Sequence, residues 1–331
     1  MPNGSEIDRL IENWSPRIRA AFLDSISQIT DQAEVDRIVA MLQAGDMAGA
    51  VAAVGITPTM FESLSTTITG AFTAGAEAMA ADIAAQAIYD FNWRMDNPDA
   101  EEWLRVNSSD KIVQLAEDQR DMVREFLARG MEAGKNPNNV ALDLVGRIGP
   151  SGSREGGIIG LTDAQVSAVD NYRNLLEQGS AAALDRVLRD RRFDNTMQDV
   201  VDTNDVLSAD QIDRMVQSYT NNMLRMRGET IGRTEAMGAL HESQQQAIEQ
   251  AVDDGVLTDK QVKFRWNTSL DTKVRDSHQT MEGQIRALGD MFETGDGNEL
   301  EYPGDPAGEP EEIINCRCWR TPVIDFLAGI K

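Results

Sequence analysis

The sequence predicts a mainly α-helical protein with a small α+β unit at its C-terminal end. Three observations carry this reading. Apolar residues recur at helical spacing through most of the chain up to Asp253. At Val262, Phe264 and Trp266 the pattern switches to strict alternation with Lys263, Arg265 and Asn267, the period of a half-buried strand. Beyond Gly283, Gly, Pro and Asn cluster between short apolar pairs, as tight turns require.

With 331 residues, two domains are expected. Apolar content of 41% is enough for packed cores, while only 5% of residues are aromatic, which suits helices packed closely through small side chains. The formal net charge of −24 argues against a dedicated nucleic-acid surface, because neutralising phosphates takes clustered Lys and Arg. It equally disfavours docking on anionic membranes. The start lacks the basic and apolar regions of a secretory signal, and the uncharged run between Glu62 and Glu77 is short for a membrane span, so a reducing cytoplasm is expected. Two cysteines make no disulfide framework.

Residues 1–146 read as a helical N-terminal region. Ile7, Leu10 and Ile11, then Ile18 and Phe22, then Ile38, Met41 and Leu42 mark short helices. Thr57-Pro58 has the cap-then-proline signature that opens a long Ala-rich helix from Met60 to about Phe91, whose small residues on several faces suit packing on more than one side. Asn97-Pro98 breaks the pattern. Trp103–Asn107 reads as a short extended segment, and Ser109-Asp110 as the cap of a helix through Ile112, Leu115, Met122, Val123 and Phe126. The two Gly/Ser clusters of 147–160 read as a hinge.

The remainder, 161–331, divides into helices over 161–255 and an α+β unit over 262–325. Thr162 is a cap for a helix with Val166, Val169, Tyr172 and Leu175 on its apolar stripe. A second helix is expected around Ala182–Leu188, and the basic cluster Arg186, Arg189, Arg191 and Arg192 reads as a salt-bridged helix end, with an acidic partner or DNA as the alternative. Ser208 and Gln211 form a capping-box pattern. His241-Glu242 falls short of a zinc-protease motif because position 245 is Gln, and His241 is expected to be a solvated helix residue. Asp271 is expected to cap a short helix on which Asp271, Val274, Arg275 and His278 share one face. Met291–Thr294 and Glu299–Tyr302 flank a Gly-Asp-Gly-Asn hairpin signal, and Asn315–Trp319 reads as a strand with Cys316 and Cys318 on one face.

The ordered run Arg233-Thr234-Glu235, Trp266, Asp271, Arg275-Asp276-Ser277-His278, Gly283, Pro303-Gly304-Asp305-Pro306 and Asn315-Cys316-Arg317-Cys318 resembles the phage Mu F-like family of minor head, or head morphogenesis, proteins of tailed double-stranded DNA bacteriophages. The resemblance covers roughly 160–325. It implies an F-like head domain behind a variable helical N-terminal bundle or arm. It also implies a structural, non-enzymatic role in prohead assembly, with the portal protein and the major capsid and scaffolding proteins as partners. The implied location is the host cytoplasm during assembly, then the head interior near the portal vertex, close to packaged DNA without sequence-specific binding. With eleven residues after Arg320, the further toxin domain of some members is not expected.

Three readings of His278, Cys316 and Cys318 stand open. They can ligate a structural zinc, with Asp271 or Asp305 as the fourth donor. They can instead form a polar core in which an Asp271–Arg275 pair and His278 bond the neighbouring loops, the cysteines being simply buried. Or the two cysteines can form a short disulfide, which the cytoplasm disfavours. A metal-dependent hydrolase or nucleic-acid-modifying enzyme on the same residues is the alternative function. The zinc-deaminase pattern fails, since Gln279 and Thr280 follow His278 and the cysteines are spaced Cys-x-Cys.

Overall fold

A computed structural model describes residues 6–86, 91–150, 152–326 and 328. In chain order the elements are α1 (Glu6–Gln32), α2 (Val35–Gln43), α3 (Met47–Val54), α4 (Glu62–Gln86), α5 (Pro98–Leu104), α6 (Lys111–Glu132), α7 (Pro137–Val145), β1 (Arg147–Ile148), β2 (Arg154–Glu155), α8 (Asp163–Glu177), α9 (Asp194–Thr203) and α10 (Ala209–Asp253). The C-terminal elements are β3 (Val262–Thr268), α11 (Asp276–Gln279), β4 (Ile285–Ala287), β5 (Phe292–Glu293), β6 (Glu299–Leu300), α12 (Pro310–Ile313) and β7 (Cys318–Ile324). The protein is thus mainly α with small sheets near the C-terminus.

The chain forms two compact units that interleave along the sequence rather than dividing at 147–160. The first takes Met1–Phe22, Ser63–Lys111 and Glu229–Lys331, and the second takes Leu23–Glu62 and Ile112–Gly228.

Within the second unit, α6 buries Ile112, Met122, Val123, Phe126 and Leu127. α8 begins with a full capping box between Thr162 and Gln165 and buries Val166, Val169, Tyr172 and Leu176, so the stripe passes through Leu176 rather than Leu175. Tyr172 stacks on Tyr219 with centroids 4.3 Å apart. The segment expected to be a hinge folds into the β1–β2 hairpin, with Arg147 opposite Glu155. Ile158, Ile159 and Leu161 are buried just after it. Buried Gln119 grips its end, accepting from Gly160 N at 2.7 Å and donating to Leu161 O at 3.0 Å. The helix expected at 182–188 is only a 3₁₀ turn, Ala181–Asp185, because the charged run that follows makes ion pairs instead. Arg189 pairs with Asp194 at 2.8 Å and Arg192 with Asp190 at 2.6 Å, the salt-bridged reading of the basic cluster.

The first unit is built on the small residues of α4. A Cβ on Gly75 would meet Ser243 Oγ at 2.2 Å and Leu240 O at 3.1 Å, so α4 and α10 approach at a distance only glycine permits. By length and hydropathy 47–86 could cross a membrane, but α3 ends at Gly55, and α4 buries Leu64, Ile68, Phe72, Met79 and Ile83 inside this unit. The long helix expected from Met60 starts as a 3₁₀ turn at Pro58–Phe61, and its end at 87–90 lies outside the described residues. The short helices expected near the N-terminus are corrected by the 27-residue α1, which continues through Pro16 because Ile7, Ile11, Ile18, Phe22, Ile26 and Ile29 form one unbroken buried stripe. Trp103–Asn107, expected to be extended, is helical. α5 passes into a π-helical turn at Arg105–Asp110 and on into α6, so Ser109-Asp110 caps nothing. The polar run that suggested a cap is polar for another reason: Ser108 is buried with its Oγ 2.6 Å from Ser65 Oγ on α4.

The main sheet has the order β4-β3-β7, all antiparallel. Val262, Phe264, Trp266 and Thr268 of β3 are buried and alternate with more exposed positions, as the sequence period requires. The β3–β7 register sets Thr268 opposite Cys318 and Trp266 opposite Arg320. The expected hairpin is β5–β6, with Phe292 opposite Leu300.

Candidate functional site

The first turn of β7 is where the predicted residues converge. β3 ends opposite Cys318, and the chain then makes a turn in which Leu270 takes the left-handed conformation, φ 52°. This turn corrects two expectations. Asp271 accepts from Lys273 N at 2.9 Å within the turn, and the helix begins only at Asp276, so Asp271, Val274, Arg275 and His278 do not share a helical face. Asp271 pairs with Arg317 at 2.5 Å rather than with Arg275, whose guanidinium donates to Ile314 O. Cys316 precedes β7 instead of lying on it. Asn315, left-handed at φ 55°, turns the chain so that the two cysteines still converge.

His278 on α11, Cys316 and Cys318 are all buried, at most 1% exposed. His278 Nδ1 is 3.4 Å from each sulfur, and the three potential ligand atoms lie within 4.8 Å of one another. Neither sequence-proposed fourth donor joins them. Asp271 is held by Arg317, and Asp305 accepts from Glu301 N at 3.0 Å and Ala307 N at 2.9 Å, shaping the Pro303–Pro306 turn. The partner that sequence reasoning missed is Glu312 on α12. Its Oε2 is 2.8 Å from His278 Nε2 and accepts from Ser277 Oγ at 3.0 Å, while Oε1 accepts from Asn298 Nδ2 at 3.1 Å. Burial pushes the Glu312 carboxyl up, but the bonds from Asn298 and Ser277 and the His278 ring outweigh it and hold the group below its usual range. The cysteines behave as a pair. A hydrogen bond from Cys318 to Cys316 holds the Cys316 thiol well below its usual value and pushes Cys318 up. Trp266 meets the His278 ring edge-on at 5.7 Å, and its buried indole N–H has no hydrogen-bond partner.

Helix α10 braces this centre through three consecutive residues. Arg233 Nε donates to Cys316 O at 2.6 Å, Thr234 Oγ1 accepts from Asn315 N at 2.9 Å, and Glu235 pairs with Lys111 at 3.0 Å. Three separate duties explain why Arg and Glu two positions apart need not pair with each other.

One turn or so further along α10 is a second buried polar cluster. His241, expected at the surface, is fully buried. Its Nδ1 donates to Met237 O at 2.9 Å and its Nε2 accepts from Arg320 N at 3.2 Å. Burial, then the nearby Arg320 charge, pulls its pKa down to about 3. Arg320 is itself buried, donates to Glu301 O at 3.2 Å and His241 O at 3.1 Å, and lies over the rings of Phe264 and Tyr302 at 4.0 and 5.0 Å. Tyr302 donates to Glu242 at 2.7 Å. Gly304 seats the Pro303–Pro306 turn directly on α10, where a Cβ would come within 3.1 Å of Gly238 N. The only sequence signal for this cluster was its composition: ionisable residues at positions whose periodicity called for core.

These centres define a class before they define a family: polar closures, buried at their middle, that tie short segments to a long helix. The chain belongs to the Phage Mu protein F like protein family, whose pattern matches residues 121–321 and so begins earlier than the resemblance at 160 suggested. The family takes its description from a bacteriophage protein. A Haemophilus influenzae protein titled "Uncharacterized protein" is 37% identical over 65 residues, which is 19% of this chain and 11% of that protein, so the similarity spans about a tenth of that relative. No solved structure matches.

Proposed function

We propose that this chain is a minor head protein of a tailed double-stranded DNA bacteriophage, acting structurally in prohead assembly at or near the portal vertex and in DNA packaging or ejection there. The observation that carries this reading is that the motif's Cys/His cluster is buried and its Arg-Thr pair is bonded to backbone. His278, Cys316 and Cys318 are at most 1% exposed, and Arg233 and Thr234 are spent on the backbone of Asn315 and Cys316. Catalysis needs a group that substrate can reach, whereas a head component needs a fold that survives assembly. The partners are the portal protein and the major capsid and scaffolding proteins of the same phage. The chain is made in the host cytoplasm and ends in the head interior beside packaged DNA. There the net charge of −24 keeps it from adhering to the phosphates. The helical region 1–146 supplies the portal and head contacts.

The test is co-expression of the full chain with the portal protein, followed by affinity purification, and co-expression with the head proteins, followed by isolation of proheads. The expected result is co-purification with portal and recovery of a few copies per prohead. A well-folded chain absent from both portal complexes and proheads would overturn the proposal.

A further inference from the structure

We infer that His278, Cys316 and Cys318 hold a soft or borderline divalent cation, zinc in the cell, through His278 Nδ1 and the two sulfurs, with Glu312 as the carboxylate that orients the histidine. Four observations lead there, none of which depends on the head role. The first is convergence. Nδ1 stands 3.4 Å from both sulfurs, and all three potential ligand atoms fall within 4.8 Å. Tetrahedral ligand atoms about 2.0–2.3 Å from Zn²⁺ are about 3.3–3.8 Å apart, so both Nδ1–sulfur separations already have the spacing of a coordination shell.

The second is the tautomer. Glu312 already accepts from Ser277 and Asn298, and its Oε2 faces His278 Nε2 at 2.8 Å. A carboxylate 2.8 Å away favours the tautomer with its proton on Nε2, which leaves the Nδ1 lone pair on the side of the sulfurs. The carboxylate–histidine–metal relay is the arrangement by which proteins fix a metal-binding imidazole. The third is electrostatic. Two thiolates, one neutral imidazole and a dication sum to zero charge, so the loaded ligand set costs less to bury than the bare thiolates. The fourth is mechanical. The ligands come from α11, the 314–317 turn and the start of β7, and Glu312 comes from α12, so one ion would staple four short segments. Helices of four residues and strands of two have little cooperative stability of their own. Three side chains leave one coordination position, which Asp271 and Asp305, bonded elsewhere, do not supply.

The test uses the full chain, purified under reducing conditions after expression in zinc-supplemented medium. Elemental analysis is expected to find about one Zn²⁺ per chain. Co²⁺ put in its place should give the near-ultraviolet thiolate charge-transfer absorption. Competition with a chromophoric chelator should show Cys318→Ser losing the ion and Glu312→Gln, which keeps all three donors, holding it about 10–100-fold more weakly. Should Cys318→Ser fail to fold, Glu312→Gln carries the test, with folding checked by circular dichroism. Purified chain that takes up no zinc on reconstitution overturns the inference. So does a Cys318→Ser chain that keeps its ion, or a Glu312→Gln chain that holds zinc as tightly as the wild type.

Discussion

Replacing Glu249 with glutamine should stabilise the first unit at neutral and alkaline pH and leave it unchanged in mild acid. Glu249 lies on α10 beside the Arg320 cluster. Its Oε1 accepts from Gln245 Nε2 at 2.6 Å, and Glu242 and Glu301 are close enough to repel its charge. Burial above all, then those carboxylates, raise its pKa from the ordinary 4.5 to about 7 against the lowering effect of Gln245 and Arg320. The folded protein therefore binds a proton that the unfolded chain releases between those values. Below about pH 4.5 both states are protonated and the group costs nothing. As pH rises toward 7 the cost grows, and above 7 it is complete. At 1.36 kcal/mol per pH unit the full cost is roughly 3 kcal/mol. The side chain is only half-buried, so solvent screening brings the expected value to roughly 1–2 kcal/mol. Glutamine keeps an acceptor for Gln245 and carries no charge. All five tryptophans lie in the first unit, so their emission in a urea titration reports this unit alone. The Glu249→Gln and wild-type midpoints should coincide near about pH 4.5 and separate by about pH 8 in favour of the variant. Parallel pH profiles, or a variant less stable at about pH 8, would refute the reasoning.

His241 works with the opposite sign. Its folded pKa of about 3 lies below the ordinary 6.5, so stability is lost as pH falls below 6.5, and His241→Gln should flatten that acid limb of the urea midpoint. Gly75→Val should lower the tryptophan-reported midpoint by roughly 1–3 kcal/mol, because the Leu240 carbonyl 3.1 Å from the new Cβ is backbone and cannot rotate away. Gln119→Ala should leave Gly160 N and Leu161 O unpaired in a buried place, each costing roughly 1–3 kcal/mol. Limited proteolysis should then cut within 147–160 faster than in the wild type while tryptophan emission stays unchanged.

What the sequence made legible was whatever depends on local period or spacing. The β3 alternation, the Thr162 and Ser208 caps and the β5–β6 hairpin all follow from neighbours along the chain. What failed depends on partners far away. Ser109-Asp110 looked like a cap because the run is polar, yet the helix passes straight through it and the buried Ser108 beside it bonds Ser65, 43 positions earlier. His241 looked solvated because a helix residue between polar neighbours usually is; its partner, Arg320, is 79 positions on. Asp271 looked like a helix cap and a ligand, but Leu270 in the left-handed region delays the helix to Asp276 and turns Asp271 toward Arg317. No local rule anticipates a leucine with positive φ, because its Cβ disfavours that region. Glu312 escaped notice because it stands beside Glu309 and Glu311, and a run of like charges reads as a solvated face.

The residues 262–325, which the sequence sets apart as an α+β unit, do not close on themselves. Their strands run from two to seven residues, too short to cover one another. Several of their closures reach back to α10. Arg233 and Thr234 hold the Asn315–Cys316 backbone, Gly238 admits Gly304, His241 accepts from Arg320, and Glu242 accepts from Tyr302. These α10 residues stand one or two turns apart along its axis, so a single helix serves as the spine on which the Cys-x-Cys turn, the Pro303–Pro306 turn and the middle of β7 are each fastened. The Arg233-Thr234-Glu235 motif is therefore part of the same structural centre as Cys316 and Cys318, although about eighty residues separate them. A motif spread over that distance is what a fold needs when its smallest unit is stabilised by a helix belonging to the rest of the chain.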